Sequence, residues 1–337
     1  MTLSHKKLPL ELAQLAKLAY QKRFQNEPIL TKWQLLKEST SSLDGYKGYV
    51  FTNGKINVLI HRGTDELVDS FSNLQLYLKE IPLQLISASM FALAAGNQFG
   101  KIHFHAGHSL GGAIAQLIAI NTKASAVAFD SPGVKQLAQK INAKSVNNFE
   151  NIVEYLAAPN FINTQDAHVG NLYRVFVGTK DQDSIDDYIQ YSLQQHSLDN
   201  IIDALSNRPV RPVSEWPKGF TSGYREFVKH HSNPASMSDV QMVEEIDNGL
   251  SELITAVKNS ECFTSFVAPV IDSITTIFNV NAWAINQAEE LRDIFNGDKK
   301  ALCTNLTDQE QKQACEDVVM LVENIFANLH VSESGNA

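Results

Sequence analysis

Residues 101–117, KIHFHAGHSLGGAIAQL, hold the side chains best spaced to do chemistry. Within them Gly107-His108-Ser109-Leu110-Gly111 fits G-x-S-x-G, and Gly112 extends the run to GHSLGG. A serine attacks an acyl carbon only when its hydroxyl stands clear of its own backbone. A sharp strand–turn–helix elbow achieves this by holding the nucleophile in a strained conformation, and small flanking residues let strand and helix pass closely. The flanks fit that geometry. Ile102, Phe104 and Ala106 alternate with His103 and His105 as in a short strand, and residues 113–120 are an apolar, helix-forming run. A helix beginning at the serine aims its free N–H groups at the centre where negative charge develops.

A serine nucleophile needs a base for its proton and a third group to hold that base. Of the ten histidines, His196 is placed best, because it follows the last predicted strand (171–177) and opens an amphipathic helix (198–205). His168 begins that strand, which puts it at the end of a parallel sheet opposite Ser109, so its expected role is structural. His103 and His105 flank the nucleophile strand as packing or hydrogen-bonding residues. For the acid, Asp130 ends a buried strand (124–129), where catalytic groups gather in such sheets. Asp166, Asp181 and Asp183, on loops, remain alternatives.

The elements that must position these groups follow from periodicity. A helix is predicted over 10–22, with Leu10, Leu12, Leu15, Leu18 and Ala19 as its apolar stripe. Strands are predicted over 33–37, 46–52 and 56–61, the last two joined by a hairpin turn at Asn53-Gly54. The third ends in Arg62-Gly63-Thr64-Asp65. Residues 79–95 form the helix leading into the nucleophile strand, and 152–157 a further strand leading to Pro159-Asn160.

The Arg-Gly-Thr strand end, taken with GHSLGG, resembles the class 3 (fungal-type) lipases of the α/β-hydrolase fold over roughly residues 30–205. The resemblance implies a mostly parallel central sheet, to which the helical spacing of apolar residues adds a C-terminal α-helical region. It implies Ser109 as nucleophile, His196 as base, and an oxyanion hole from Thr64 and the residue after the nucleophile, Leu110. By position Asn160 falls where that family keeps its acid. The pancreatic-type lipases carry theirs one strand earlier, where this chain has Asp130. Asp130 is therefore the expected third member, with Asn160 or Asp166 as alternatives.

Composition bounds the rest. The chain has 337 residues, 44% hydrophobic and 19% charged, with net charge −9, which argues against a nucleic-acid partner. No signal peptide pattern opens it, and the expected location is cytoplasmic, or exported without an N-terminal signal peptide. Residues 1–206 read as the hydrolase domain and 207–233 as a proline-rich linker. Residues 234–330 read as a helical cap or partner-binding region, with helices at 240–257, 263–278, 282–295 and 309–329. Cys262, Cys303 and Cys315 lack metal spacing and read as reduced thiols, a Cys303–Cys315 bridge being the alternative. No metal or organic cofactor is expected. The expected activity is ester hydrolysis of lipase or phospholipase type on a lipid or small ester, with contact at a membrane surface. The competing expectation, suggested by plant defence lipase-like proteins, is a lipase-like module that acts on a protein partner through its C-terminal helices.

Overall fold

The computed structural model describes residues 3–24, 27–39, 44–63, 74–122, 124–141, 149–157, 162–163, 168–175, 194–207, 210–212, 292–293, 295–296 and 309–331. Thr64, Asn160, Asp166, Asp181, Asp183 and the helices expected at 240–257 and 263–278 lie outside these residues, as does most of 282–295.

Among the described residues, eight strands pair in chain order into one sheet: β1 (Gln34–Glu38), β2 (Gly48–Thr52), β3 (Asn57–His61), β4 (Ile102–His108), β5 (Ser125–Phe129), β6 (Ile152–Leu156), β7 (Asn171–Val175) and β8 (Val210–Pro212). β1, β2 and β3 form an antiparallel meander, β3 to β7 run parallel, and β8 closes the far edge antiparallel to β7. The β2–β3 turn is the predicted one. Asn53 Oδ1 accepts from the amides of Lys55 and Ile56, and Gly54 takes a φ of 81°.

The strand order dictates the layers. Parallel strands added one after another in the same direction through right-handed crossovers place every crossover helix on one face. That face carries α2 (Leu74–Phe99), α3 (Leu110–Thr122) and α4 (Lys135–Ile141). Leu85, Ile114, Ile118, Ala138 and Ile152 belong to its core. The other face must be covered by chain from elsewhere. The helix α1 (Leu3–Leu18) and the helix α5 (Leu198–Asn207) do this, bringing Leu12, Leu15, Ile201 and Leu205 onto Val58, Ile60, Val127 and Tyr155.

Three expectations change here. Val210–Pro212, read as linker, is an edge strand, and Pro212 pairs at the outermost position of the sheet, where a missing N–H costs no ladder bond to a further strand. Residues beyond 234 are not all separate from the sheet domain. The helix α6 (Gln309–Val331) sets Cys315, Val318, Leu321, Val322 and Ile325 into the same core as α2 and α3. Cys315 is disulfide-bonded rather than reduced, and its partner lies outside the described residues. Among the described residues no helix is long and apolar enough to cross a membrane.

Candidate active site

Ser109 occupies the turn between β4 and α3, with φ at 59°, the left-handed region that costs a non-glycine residue energy. The ladder continues one residue past the strand, Ser109 N–H donating to Phe129 O at 3.0 Å. The glycines around it are required by contact. A Cβ on Gly107 would stand 2.3 Å from the backbone carbon of Gly111, and one on Gly111 would stand 2.1 Å from His61 O. Strand and helix therefore cross at backbone contact distance, and the serine projects from the point of closest approach.

His196 comes from a short helical turn, 194–196, ahead of α5. Ser197 O accepts the first helical bond, from Ile201 N–H, so the residue after His196 caps α5 and fixes the direction from which the imidazole arrives. Asp130 follows β5 with its own left-handed φ of 46°, and its N–H donates to Tyr155 O at 2.8 Å. Both groups thus stand at the carboxyl edge of the sheet beside Ser109.

The structure brings the three together. His196 Nε2 lies 2.9 Å from Ser109 Oγ, and His196 Nδ1 lies 2.7 Å from Asp130 Oδ2. In the neutral ring Nδ1–H donates to the carboxylate, leaving Nε2 as the acceptor of the serine proton. All three are almost wholly buried. Asp130 Oδ1 in turn accepts from Ala157 N–H at 2.8 Å and from Asn163 Nδ2 at 2.6 Å.

Leu110, the first residue of α3, presents an N–H with no helical acceptor upstream, beside Ser109. Thr64 lies outside the described residues. Gly63, immediately before it, packs against the elbow, since a Cβ there would meet His108 O at 2.7 Å and Ser109 Cβ at 3.3 Å.

Histidines fill the space behind the serine. His108 Nε2 donates to His196 O at 2.7 Å, and its Nδ1 accepts from Tyr20 Oη at 3.0 Å. Burial, with neighbouring His196 adding to it, brings the pKa of His108 down to about 3, so its ring is neutral. Further back, Tyr46 Oη, His61 and His105 form a buried hydrogen-bonded row with spacings of 2.9 and 3.0 Å. His105 is pushed down to about 4 by burial, and His61 well below its usual range by burial and by His105. His103 accepts from Asn57 N–H at 3.1 Å. His168 stays remote from Ser109 and bonds Glu154 and the Asn163 backbone. Sequence reasoning missed His108, Tyr20 and Asn163. For His108 the available signal was its place inside the elbow motif, directly before Ser109.

Ser109, Asp130 and His196 stand in that chain order at the carboxyl edge of a mostly parallel sheet, with Ser109 on a strand–helix elbow. Fold and site together define an α/β-hydrolase fold. No protein-family model matches the sequence, and no curated protein matches it. Solved structures do. The chain is similar to a lipase from Rhizopus microsporus var. chinensis at 12% identity and TM-score 0.41, over 59% of this chain and 86% of that one. It is similar to the Lip2 lipase of Yarrowia lipolytica at 15% identity and TM-score 0.39, over 58% and 91%. A triacylglycerol lipase from Penicillium expansum matches at 12% identity and TM-score 0.36, over 56% and 89%.

Proposed function

We propose that this protein is a serine carboxylic-ester hydrolase of lipase or phospholipase type, acting on lipid or small esters through an acyl-enzyme. The observation that supports it most is the unbroken series of two short hydrogen bonds, 2.9 Å and 2.7 Å, from Ser109 through His196 to Asp130. As Ser109 Oγ bonds to the acyl carbon, His196 Nε2 takes its proton and the carbonyl oxygen becomes an oxyanion facing the Leu110 N–H. Thr64 is proposed as the second donor. Collapse expels the alcohol, which receives its proton from His196, and water then attacks the acyl-serine by the same route in reverse. Asp130 holds the tautomer and stabilises the imidazolium formed at each step.

The test is labelling of the full chain with a fluorophosphonate, together with hydrolysis of p-nitrophenyl esters of graded acyl length. Wild type is expected to label and turn over, and Ser109→Ala to do neither, with a loss of about 10⁶-fold in kcat. A folded wild-type chain that neither labels nor hydrolyses any ester would favour the lipase-like interaction module instead.

A further inference from the structure

His196 and Asp130 form one imidazole–carboxylate pair, and the structure holds a second, joined to it through Ser131 and Asn163. His168 Nδ1 lies 2.7 Å from Glu154 Oε2, on the middle of β6, with Glu154 fully buried and the His168 side chain 9% exposed. The other nitrogen, Nε2, lies 2.6 Å from the backbone oxygen of Asn163. Nε2–H donates to that backbone oxygen, and Nδ1 shares a hydrogen bond with the Glu154 carboxyl group.

The connections of this pair lead to one place. Glu154 Oε1 accepts from Ser131 N–H at 3.2 Å and from Ser131 Oγ at 2.5 Å, and Ser131 directly follows Asp130. His168 grips Asn163, whose side-chain amide donates to Asp130 Oδ1 at 2.6 Å. The two oxygens of Glu154 therefore tie together the chain after β5, which carries Asp130, and the chain after β6, which carries the amide that orients it. Asp130 needs such holding, because its backbone sits at φ 46°. A carboxylate free to rotate from that strained position would present a different edge to His196.

We propose that Glu154, His168 and Asn163 are positioning residues for the triad. Through Asn163 Nδ2 and Ser131 they fix the plane of the Asp130 carboxylate so that Oδ2 faces His196 Nδ1. The kinetic consequence rests on the hydrolase reading, whereas the positioning itself does not, and the experiment separates the two.

The direct readout is the downfield proton NMR signal of His196 Nδ1–H in the full chain, assigned by its loss in His196→Ala. Asn163→Ala and His168→Gln are expected to shift or broaden it while melting temperatures stay near wild type. Asn163→Ser replaces the alanine variant if that one does not fold, its hydroxyl being too short to reach Asp130. In esterase assays the same variants are expected to lower kcat about 10²-fold at unchanged KM. That loss should vanish in an Asp130→Ala background, since a residue acting through Asp130 has nothing left to position. Glu154→Gln, whose amide can donate to His168 while its oxygen still accepts from Ser131, is expected to shift the signal and lower kcat less than His168→Gln does. An unmoved Nδ1–H signal in folded Asn163→Ala and His168→Gln overturns the proposal, as does an undiminished rate loss in the Asp130→Ala background. A signal that responds as expected in a chain without esterase activity supports the positioning and sinks the hydrolase reading instead.

Discussion

His108 Nε2 stands 2.7 Å from the backbone oxygen of His196, so the residue before Ser109 holds the main chain of the histidine that bonds it. Only an N–H can donate to that carbonyl, which fixes the tautomer of His108 and leaves Nδ1 to accept the hydroxyl of Tyr20 at 3.0 Å. Tyr20 follows α1 and covers Gly63 as well, where an added Cβ would stand 2.3 Å from its oxygen. The N-terminal helix thereby braces the elbow, the base and the strand end leading to Thr64.

Tyr20→Phe keeps the ring and removes the donor. It is expected to lower kcat roughly fivefold, corresponding to about 1 kcal/mol for one lost hydrogen bond, with KM unchanged. His108→Leu leaves the His196 carbonyl without its buried donor and is expected to cost more in both rate and melting temperature. Steady-state kinetics with matched thermal melts read both effects. A rise in KM alone for Tyr20→Phe would instead place Tyr20 against the substrate.

Asp130→Asn tests the acid. The amide preserves volume but turns a donor or a weaker acceptor toward His196 Nδ1, disturbing the tautomer that leaves Nε2 free. The expected loss in kcat is about 10⁴-fold with little change in melting temperature. Asn160 lies outside the described residues. With Asp130 at 2.7 Å from His196 Nδ1, Asn160→Asp is expected to be neutral or harmful, since a second carboxylate repels the first. A silent Asp130→Asn with a faster Asn160→Asp would reverse the assignment.

What the sequence made legible were features with local signatures. Strict alternation marked β4, a turn dipeptide marked the β2–β3 hairpin, and glycines at set offsets marked the elbow. Asp130 was legible from the strand end on which it sits, and His196 from the amphipathic helix that follows it. The Asn163, His168 and Glu154 contacts were not. Each joins loops or strands through single short side chains, and such pairings leave no period or motif in the chain. Val210–Pro212 was hidden by Pro212 and the preceding Pro209, which signal a linker unless the strand lies at an edge. The packing of α6 was hidden for another reason. An apolar helical stripe shows that a helix is covered but not what covers it.

Gly111→Ala tests the closeness of the elbow crossing. The added methyl would stand 2.1 Å from His61 O and 2.7 Å from its carbon, both backbone atoms that no side-chain rotation relieves. Strand β3 and helix α3 must separate to admit it, and overpacking of this kind typically costs about 1–3 kcal/mol or more. The expected result is a melting temperature lowered by several degrees together with lost fluorophosphonate labelling. A variant with wild-type melting and labelling would show that the crossing is looser than these contacts require.

The last prediction concerns acid. His105 and His108 have folded-state pKa values of about 4 and about 3, and His61 is lowered in the same direction, chiefly through burial. In the unfolded chain each returns to about 6.5. Between pH 6.5 and about 4 the unfolded state therefore binds more protons than the folded one, and stability rises with pH across that window. The contribution is complete above pH 6.5 and is lost as pH falls toward 3. Urea midpoints are expected to be flat from pH 7 to 8 and to fall steeply from pH 6 to 4. His105→Gln, which keeps polar atoms near His61 but does not titrate, is expected to make that fall shallower while lowering the midpoint at pH 7. An unchanged slope in the variant would show that His105 does not govern acid unfolding.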